Sequence, residues 1–243
     1  MQFTSIFSEY YTLYRGDSDV PPVNDVEWIM AVRFANTALR RLEHVDGEDW
    51  EWLWTDTAET GNSQVYTTSS LVPVETTYTC PANMVKPGGV IRLTDPASGH
   101  TFSIDVVGSY NVQRVIGSDR YAFFTGDQNT GFTLHIVLNG TSYVNYQIDF
   151  PYYKQLTYFN TLPDGNGGVQ EDGTTITECP DSNYLVNYLL AYRYRSTRNY
   201  PSYQTAQRDA EESLKGMQIR NRTGVDGHSW NSIDSTSGGI FGI

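Results

Sequence analysis

The titratable residues of the sequence form no spacing that is typical of a catalytic or metal site. The histidines do not make the H-E-x-x-H spacing that puts two metal ligands on one helix face; they are His44, His100, His135 and His228. The sequence has no G-x-S-x-G nucleophile turn, no Walker loop and no G-x-G-x-x-G segment. We therefore expect no enzyme, no cofactor and no metal, and interpret the histidines as surface or hydrogen-bonded residues.

Carboxylates leave one catalytic alternative open. Asp and Glu together number 28, and a glycosidase-type mechanism needs only a suitably placed pair of them. The sequence does not single out such a pair. A small carboxylate-dependent hydrolase, with one carboxyl group of raised pKa in a cleft, stays an alternative.

The two cysteines give no framework of disulfides and no zinc site. Cys80 and Cys179 are far apart in sequence, and a proline follows each. We expect two unpaired thiols, and the alternative is a single disulfide that joins the two segments.

Composition favours a globular protein that contacts other proteins. The chain has 243 residues and a net charge of -12, which argues against a protein that binds nucleic acid electrostatically over its whole surface. Eighteen tyrosines, five tryptophans and an excess of arginine over lysine are typical of protein interfaces. No apolar run reaches membrane-spanning length, and the start of the chain lacks a basic and apolar leader, so we expect neither a membrane segment nor a signal peptide.

Residues 1–55 are predicted to form two helices and a first strand. Aromatic and aliphatic residues recur every three or four positions in the first helix; they are Phe3, Ile6, Phe7, Tyr10, Tyr11 and Tyr14. The second helix should be capped by Asn24 and end at Gly47. Its buried stripe is predicted to be Trp28, Ala31, Ala35, Ala38 (or Leu39) and Leu42. The alternation at 50–54 predicts a strand with three indoles on one face.

Residues 56–160 are predicted to form an antiparallel β-sandwich or barrel. Short β-rich runs separated by Gly, Pro, Asn and Asp are typical of such domains. The predicted strands lie at 65–68, 90–93, 101–107, 121–125, 132–138, 143–148 and 156–159. Asn139-Gly140 predicts a two-residue hairpin between two of them.

The last third of the chain is predicted to return to helix. Residues 161–180 are rich in glycine and predict a flexible loop. Asp181 or Ser182 should cap the first helix of a pair over 181–222, and Pro201 should end or kink it. Residues 223–243 predict an extended tail that orders on a partner. The fold class is therefore α+β: helical N- and C-terminal segments form a small bundle, with a large inserted antiparallel β-sandwich or barrel and an extended C-terminal tail.

Charge is distributed unevenly along the chain. Residues 192–222 hold seven basic and three acidic side chains, a net charge of +4, and the rest of the chain has a net charge of -16. Zones of opposite sign can pair within the fold, or between copies in a ring with a heterologous interface. A solvated charged face is the alternative.

The order helix, β insert, helix pair and tail resembles the head-to-tail adaptor proteins of tailed bacteriophages. One stretch that carries the likeness is the alanine- and arginine-bearing helix 31–43 that leads into Trp50 and Trp52-Leu53-Trp54. The other is Cys179-Pro180 through Asn183, followed by 185–194 and 206–217. The large β insert brings the chain closer to the larger adaptors, which also contact tail parts.

The resemblance implies a structural protein of the virion neck, made in the host cytoplasm. It implies a homo-oligomeric ring, of twelve copies, that binds the portal protein above and a tail tube or nozzle protein below. Viral DNA would pass through an acidic channel without specific binding, and no membrane would be involved. The tail would dock on the portal through Trp230, Ile233, Ile240, Phe241 and Ile243. The subunit interface would join Arg193, Arg195 and Arg198 to Asp46, Glu48 and Asp49.

Two non-catalytic alternatives stay open. A tail or receptor-recognition protein could bind a surface glycan through the aromatic side chains of the β region, although such modules seldom need helical ends. A scaffold protein with another partner would have the same sequence features as an adaptor.

Overall fold

A computed structural model of the chain describes residues 1–16, 20–23, 25–45, 49–108, 120–138, 143–160 and 173–223. These residues form a mixed α+β fold of four α-helices and three antiparallel sheets, none of them closed. The chain divides into two compact units. Met1–Glu48 and Thr157–Ile243 make up the helical unit, and Asp49–Leu156 makes up the β unit. The predicted α+β class is confirmed.

The helical unit is organised around its third helix. Its described helices are α1 (Phe3–Arg15), α2 (Val26–Glu43), α3 (Ser182–Ser196) and α4 (Tyr200–Thr223). α3 packs against each of the other three. The Tyr184 hydroxyl on α3 donates to the Ala38 carbonyl on α2 at 3.0 Å, which satisfies a buried phenol.

α1 buries four of the six residues of its predicted face. Phe3, Ile6, Phe7 and Tyr10 are buried, whereas the predicted Tyr11 and Tyr14 are partly exposed. Gly16 ends the helix with a φ of 71°, and its N–H donates to the Thr12 carbonyl at 2.8 Å. Glycine adopts this left-handed conformation at little cost, so it is a common helix end.

α2 buries the predicted stripe, but its cap differs from the prediction. Trp28, Ala31, Ala35, Ala38, Leu39 and Leu42 are all buried. The capping residue is Asp25, which has extended backbone angles and accepts a bond from the Glu27 N–H at 2.8 Å. Asn24 and Gly47 lie outside the described residues, and the helix ends at Glu43.

The first helix of the C-terminal pair begins at Ser182 and is capped by Asp181, one of the two predicted capping residues. The Asp181 carboxylate accepts a bond from the Asn183 N–H at 3.0 Å. The prediction for Pro201 is wrong: α3 ends at Ser196, and Pro201 is the second residue of α4. A proline is well placed in a first helical turn, because the N–H that it lacks would have no helical partner there.

Residues 157–160 join α2 by side-chain hydrogen bonds and do not form the predicted strand. The Asn36 side chain donates to the Phe159 carbonyl at 2.8 Å and accepts from the Phe159 N–H at 2.9 Å. The Phe159 ring packs on Phe3, with centroids 4.8 Å apart. A buried amide on a helix therefore supplies the backbone hydrogen bonds that a neighbouring strand would supply.

Part of the predicted glycine-rich loop completes the start of α1. The N–H of Phe3 donates to the Thr175 carbonyl and the N–H of Thr4 to the Gly173 carbonyl, at 3.3 and 3.4 Å. These bonds satisfy helix N-terminal donors that Gln2 does not cap. Residues 161–172 of the predicted loop lie outside the described residues.

The described part of the β unit holds ten strands in three sheets. The sheet orders are β1-β10-β4, β2-β9-β5-β6 and β3-β8-β7. The strands are β1 (Trp54–Asp56), β2 (Gln64–Val65), β3 (Val74–Thr79), β4 (Met84–Pro87), β5 (Val90–Thr94), β6 (Thr101–Asp105), β7 (Arg120–Asp127), β8 (Gly131–Leu138), β9 (Gln147–Asp149) and β10 (Pro151–Lys154). Side chains from all three sheets share one apolar cluster, which includes Met84, Ile91, Leu134 and Tyr152.

The tryptophan-rich segment is not the predicted strand. Residues Glu51–Leu53 form a 3-10 helix, and the strand begins only at Trp54. Trp50 is buried and stacks on Trp52 with centroids 4.3 Å apart, whereas Trp54 is 38% exposed. The three indoles therefore do not line one face.

The pairing of the strands also departs from the prediction. Asn139 and Gly140 lie outside the described residues, and the strands on either side of them do not form the predicted hairpin, because β8 pairs with β3 and β7, and β9 pairs with β2 and β5. The β7–β8 hairpin turns instead at Asp127, whose carboxylate accepts from the Asn129 and Thr130 N–H groups at 2.7 and 2.9 Å. Strands β3 and β4 were not predicted, since threonine, glutamate and lysine interrupt their apolar pattern.

A buried carboxylate links strands of the β unit. Asp149 is 4% exposed and accepts from the Ser63 hydroxyl at 2.5 Å, the Gln147 amide at 2.8 Å and the Thr57 hydroxyl at 3.3 Å. The Phe150 N–H in turn donates to the Thr57 hydroxyl at 3.0 Å. These bonds offset the cost of removing a carboxylate from water.

The cysteines are unpaired, as expected. Cys80 and Cys179 are both buried, and burial raises the pKa of each thiol to about 12. Among the described helices, none is long and apolar enough to cross a membrane.

Candidate functional site

The predicted arginine row lies at the C-terminal end of α3. Arg193 and Arg195 are in the last turn, where the helix dipole favours cations. Arg198 follows the helix with a φ of 60°. The three side chains differ in environment: Arg193 is mostly buried, whereas Arg195 and Arg198 are exposed.

Arg193 is held inside the helical unit. Its guanidinium donates to Oε1 of Glu27 at 2.7 Å, and the exposed side-chain fractions are 19% and 17%. Arg15 donates to the same oxygen at 2.9 Å, and the Arg193 guanidinium lies 5.2 Å from the centre of the Tyr14 ring. The cluster joins the end of α1, the start of α2 and the end of α3. Arg193 therefore has an ion-pair partner on α2 of its own chain, whereas the sequence analysis placed its partner on a neighbouring copy.

Two polar atoms of this cluster have no hydrogen-bond partner among the described residues. They are Glu27 Oε2 and Arg193 Nε, and both are buried. Burial raises the pKa of the nearby Tyr10 hydroxyl, so that phenol stays neutral beside the ion pair.

Arg195 borders a groove lined by tyrosines between α3 and α4. The groove encloses about 250 Å³, and its wall includes Tyr184, Tyr188, Tyr192, Tyr203, Arg41 and Arg195. The first three tyrosines are four residues apart on α3, and neighbouring ring centroids lie 5.7 and 5.1 Å apart. Tyrosine and arginine side chains in such a setting are the residues that most often anchor protein interfaces.

Of the two arginines that line the groove, Arg41 has an ion-pair partner, and Arg195 has none among the described residues. Arg41 lies 5.7 Å from the centre of the Tyr188 ring and 3.8 Å from the Glu211 carboxylate. Arg195 and Arg198 make no ion pair within the described part of the chain. Burial raises the pKa of Tyr184, and burial with a Tyr188 hydrogen bond raises that of Tyr192, so both phenols stay neutral.

Of the three acidic residues predicted at the subunit interface, only Asp49 lies among the described residues. Asp49 pairs with Lys86 of the β unit at 2.5 Å, and both side chains are more than half exposed. A surface pair of this kind contributes little to stability and can exchange partners. Asp46 and Glu48 lie outside the described residues, so the contact between copies stays a prediction.

The predicted portal-docking residues also lie outside the described residues. They are Trp230, Ile233, Ile240, Phe241 and Ile243. The last described residue is Thr223, where α4 ends. Their role stays a prediction.

The described residues hold no group of three metal-ligating side chains. Hydrogen bonds lower the pKa of Asp95, chiefly one from the Ser98 hydroxyl, and that of Asp127, chiefly one from the Thr130 N–H. A general acid needs the opposite shift.

Sequence reasoning missed the Glu27 pair and the tyrosine groove for different reasons. The spacing of Tyr184, Tyr188 and Tyr192 is visible in the sequence and could have indicated one helix face. The partner of Arg193 lies 166 residues away, and no local pattern indicates it. No protein-family model matches the sequence, and no curated protein matches it either.

Proposed function

We propose that the chain is a head-to-tail adaptor of a tailed bacteriophage, a structural protein of the virion neck that forms a ring below the portal. The observation that carries the proposal is that helices from both ends of the chain pack in one unit, whereas the residues between them form another. This agrees with the order helix, β insert and helix pair. In this proposal the helices act as a small bundle, and the three open sheets, which share one core, act as a sandwich.

Contacts between copies involve the exposed arginines at the end of α3. Arg195 and Arg198 have no ion-pair partner within the described residues, and the rest of the chain is strongly acidic. An acidic segment of a neighbouring copy, including Asp46 and Glu48, can supply that partner. Arg193 supports this contact indirectly, because its bond to Glu27 fixes the end of α3.

The C-terminal tail binds the portal in this proposal. Trp230, Ile233, Ile240, Phe241 and Ile243 are large apolar residues in a segment rich in glycine and serine. Such a segment gains a packed conformation by binding, and its apolar residues act as anchors. An acidic ring lumen lets DNA slide, because like charges repel the phosphates.

Electron microscopy of the native particle tests the ring directly. We expect a ring of twelve copies, around a central channel, between the portal and a tail tube or nozzle. Copies at the particle periphery, or no ring, would overturn the proposal. Deleting residues 229–243 should abolish portal binding without unfolding the helical unit, and binding that survives would refute the role of the tail.

A glycan-binding tail protein is the second candidate, and one exposed aromatic side chain favours it. Trp54 is 38% exposed and packs edge-on against Tyr153, with ring centroids 4.8 Å apart. An exposed indole beside a second ring can stack on a sugar. Binding to a glycan array that is lost in Trp54→Ala would support this candidate, and no binding by the wild type would refute it.

A further inference from the structure

The sheet β3-β8-β7 has a second face that does not belong to the apolar core. Leu134 and Ile136 of β8 are buried in the core, so His135 between them projects from the opposite face. The residues directly beside His135 in the pairing are Thr77 on β3 and Phe123 on β7. This outer face brings together side chains from three strands.

On this face, both nitrogens of His135 are engaged in short hydrogen bonds. Nδ1 lies 2.6 Å from Oε1 of Glu75, and Nε2 lies 2.7 Å from Oγ1 of Thr125. The Glu75 carboxylate can only accept, so Nδ1 carries the hydrogen. In the neutral imidazole Nε2 is then the acceptor, and the Thr125 hydroxyl donates to it.

The position of the imidazole ring is fixed from the side as well. The Phe123 ring stacks on His135 with centroids 4.4 Å apart and planes 10° apart. The His135 side chain is only 16% exposed, whereas Thr125 is exposed. A solvent-accessible hydroxyl therefore faces a positioned base, which a carboxylate orients from its other side.

We propose that Thr125 is a nucleophile activated by His135 and Glu75, and that this face accepts an acyl group from activated carboxylic esters. A hydroxyl bonded to a base that a third group orients is the arrangement that activates serine and threonine nucleophiles. This reactivity is separate from the proposed role in the virion neck, and neither depends on the other.

The acylation step moves one proton and exchanges one bond. Oγ1 of Thr125 attacks the ester carbonyl carbon, and the hydroxyl proton passes to Nε2 of His135. The bond between the carbonyl carbon and the leaving oxygen then breaks, and that oxygen takes the proton from Nε2. The products are an acyl-threonine ester and an alcohol, and no other reactant is consumed.

Water completes the cycle by the same path. It attacks the acyl-threonine carbonyl while Nε2 takes its proton, and the proton returns to Oγ1 as the carboxylic acid leaves. The acceleration expected from a positioned base is about 10²–10⁴-fold. Glu75 is a positioning residue here, because it acts through His135.

The test uses the full chain and p-nitrophenyl acetate. Release of p-nitrophenol is followed by absorbance, and the protein is mapped by mass spectrometry for an acetyl group. We expect acetylation of Thr125, with its rate reduced about 10²–10⁴-fold in His135→Gln. Thr125→Ser should retain acetylation at residue 125, and Thr125→Val should lose it.

Matched controls separate reactivity from folding. Thr133 lies directly opposite Thr125 on the same face, so Thr133→Val makes the same chemical change in the next strand and should leave the rate unchanged. Thermal unfolding of every variant should match that of the wild type. No acetyl group on Thr125 combined with no release of p-nitrophenol above the buffer rate, or a rate of release that is unchanged in His135→Gln, would overturn the proposal.

Discussion

Replacing Arg193 with methionine should destabilise the helical unit, whereas the same change at Arg195 should not. Methionine keeps most of the apolar stem and removes the charge, so the comparison measures the bond to Glu27 together with the contact of the guanidinium with the Tyr14 ring. That bond is 2.7 Å long, between side chains that are 19% and 17% exposed. Arg195 is exposed and has no ion-pair partner among the described residues, which makes it the matched control.

The size of the loss follows from the two limits for ion pairs. Breaking a fully buried pair costs about 3–5 kcal/mol, and an exposed pair contributes about 0–1 kcal/mol. The Arg193 pair lies between them, and Arg15 still bonds to Glu27 at 2.9 Å after the change. We therefore expect Arg193→Met to lower the free energy of unfolding by about 2 kcal/mol. Arg195→Met should change it by less than about 0.5 kcal/mol.

Urea unfolding followed by circular dichroism measures both values. Thermal unfolding gives a second measure. At roughly 2–4 °C per kcal/mol, the free energy lost in Arg193→Met corresponds to a fall in Tm of about 4–8 °C. A double-mutant cycle with Glu27→Gln should show that the two losses are not additive. Equal effects at Arg193 and Arg195, or additive losses in the cycle, would refute the assignment of Arg193 to the interior.

A charge reversal at Arg195 separates folding from assembly. Arg195→Glu should weaken ring formation more than it lowers the stability of the monomer, because the Arg195 side chain makes no ion pair within the described residues. Analytical ultracentrifugation with the portal measures the first effect. A ring that survives the charge reversal would mean that the arginine belongs to a solvated face.

Four further predictions follow from the packing. Gly88→Ala should destabilise the β unit by about 1–3 kcal/mol, because an added Cβ would lie 2.6 Å from a backbone oxygen, while Gly89→Ala meets no atom within 4 Å and should be neutral in thermal unfolding. Cys80 and Cys179 should not react with Ellman's reagent at pH 8 until denaturant is added, and reaction of the native protein would contradict their burial. Burial raises the pKa of both thiols from 9.0 to about 12, so the unfolded chain loses these protons at lower pH than the folded protein does. The two thiols should therefore leave the free energy of unfolding unchanged below pH 9 and lower it between pH 9 and 12. A free energy of unfolding that stays constant between pH 9 and 12 would refute this prediction. Asp149→Ala should cost about 3 kcal/mol in urea unfolding, since three donors lose a buried acceptor, and a loss below 1 kcal/mol would show that water replaces the carboxylate.

The helices could be predicted from sequence because their information is local. The spacing of Phe3, Ile6, Phe7 and Tyr10 defines one helix face without reference to the rest of the chain. Asp181 was identified as a cap for the same reason, since a cap contacts residues two or three positions away. The Pro201 error arose because a proline marks a helix boundary without showing on which side the helix lies.

The sheets were predicted less well because pairing joins residues that are distant in sequence. Asn139-Gly140 has the composition of a hairpin turn, yet β8 has its two neighbours in β3 and β7. The preference of two residues for a hairpin turn is small, comparable to the roughly 0.2–1 kcal/mol that one cross-strand side-chain pair contributes. Burial of the shared apolar cluster outweighs it.

Sequence alone determined which segments are helical, which apolar residues they bury, the α+β class and the acidic charge balance. Tertiary structure decided what the charged and polar side chains do. It placed Arg193 against Glu27 and left Arg195 exposed, although both stand in the same helical turn. It also brought Glu75 and Thr125 to either side of His135 from separate strands. The periodicity of a helix or strand indicates which of its apolar residues are buried. A buried polar side chain needs a specific hydrogen-bond or ion-pair partner, and the fold of the whole chain decides which partner that is.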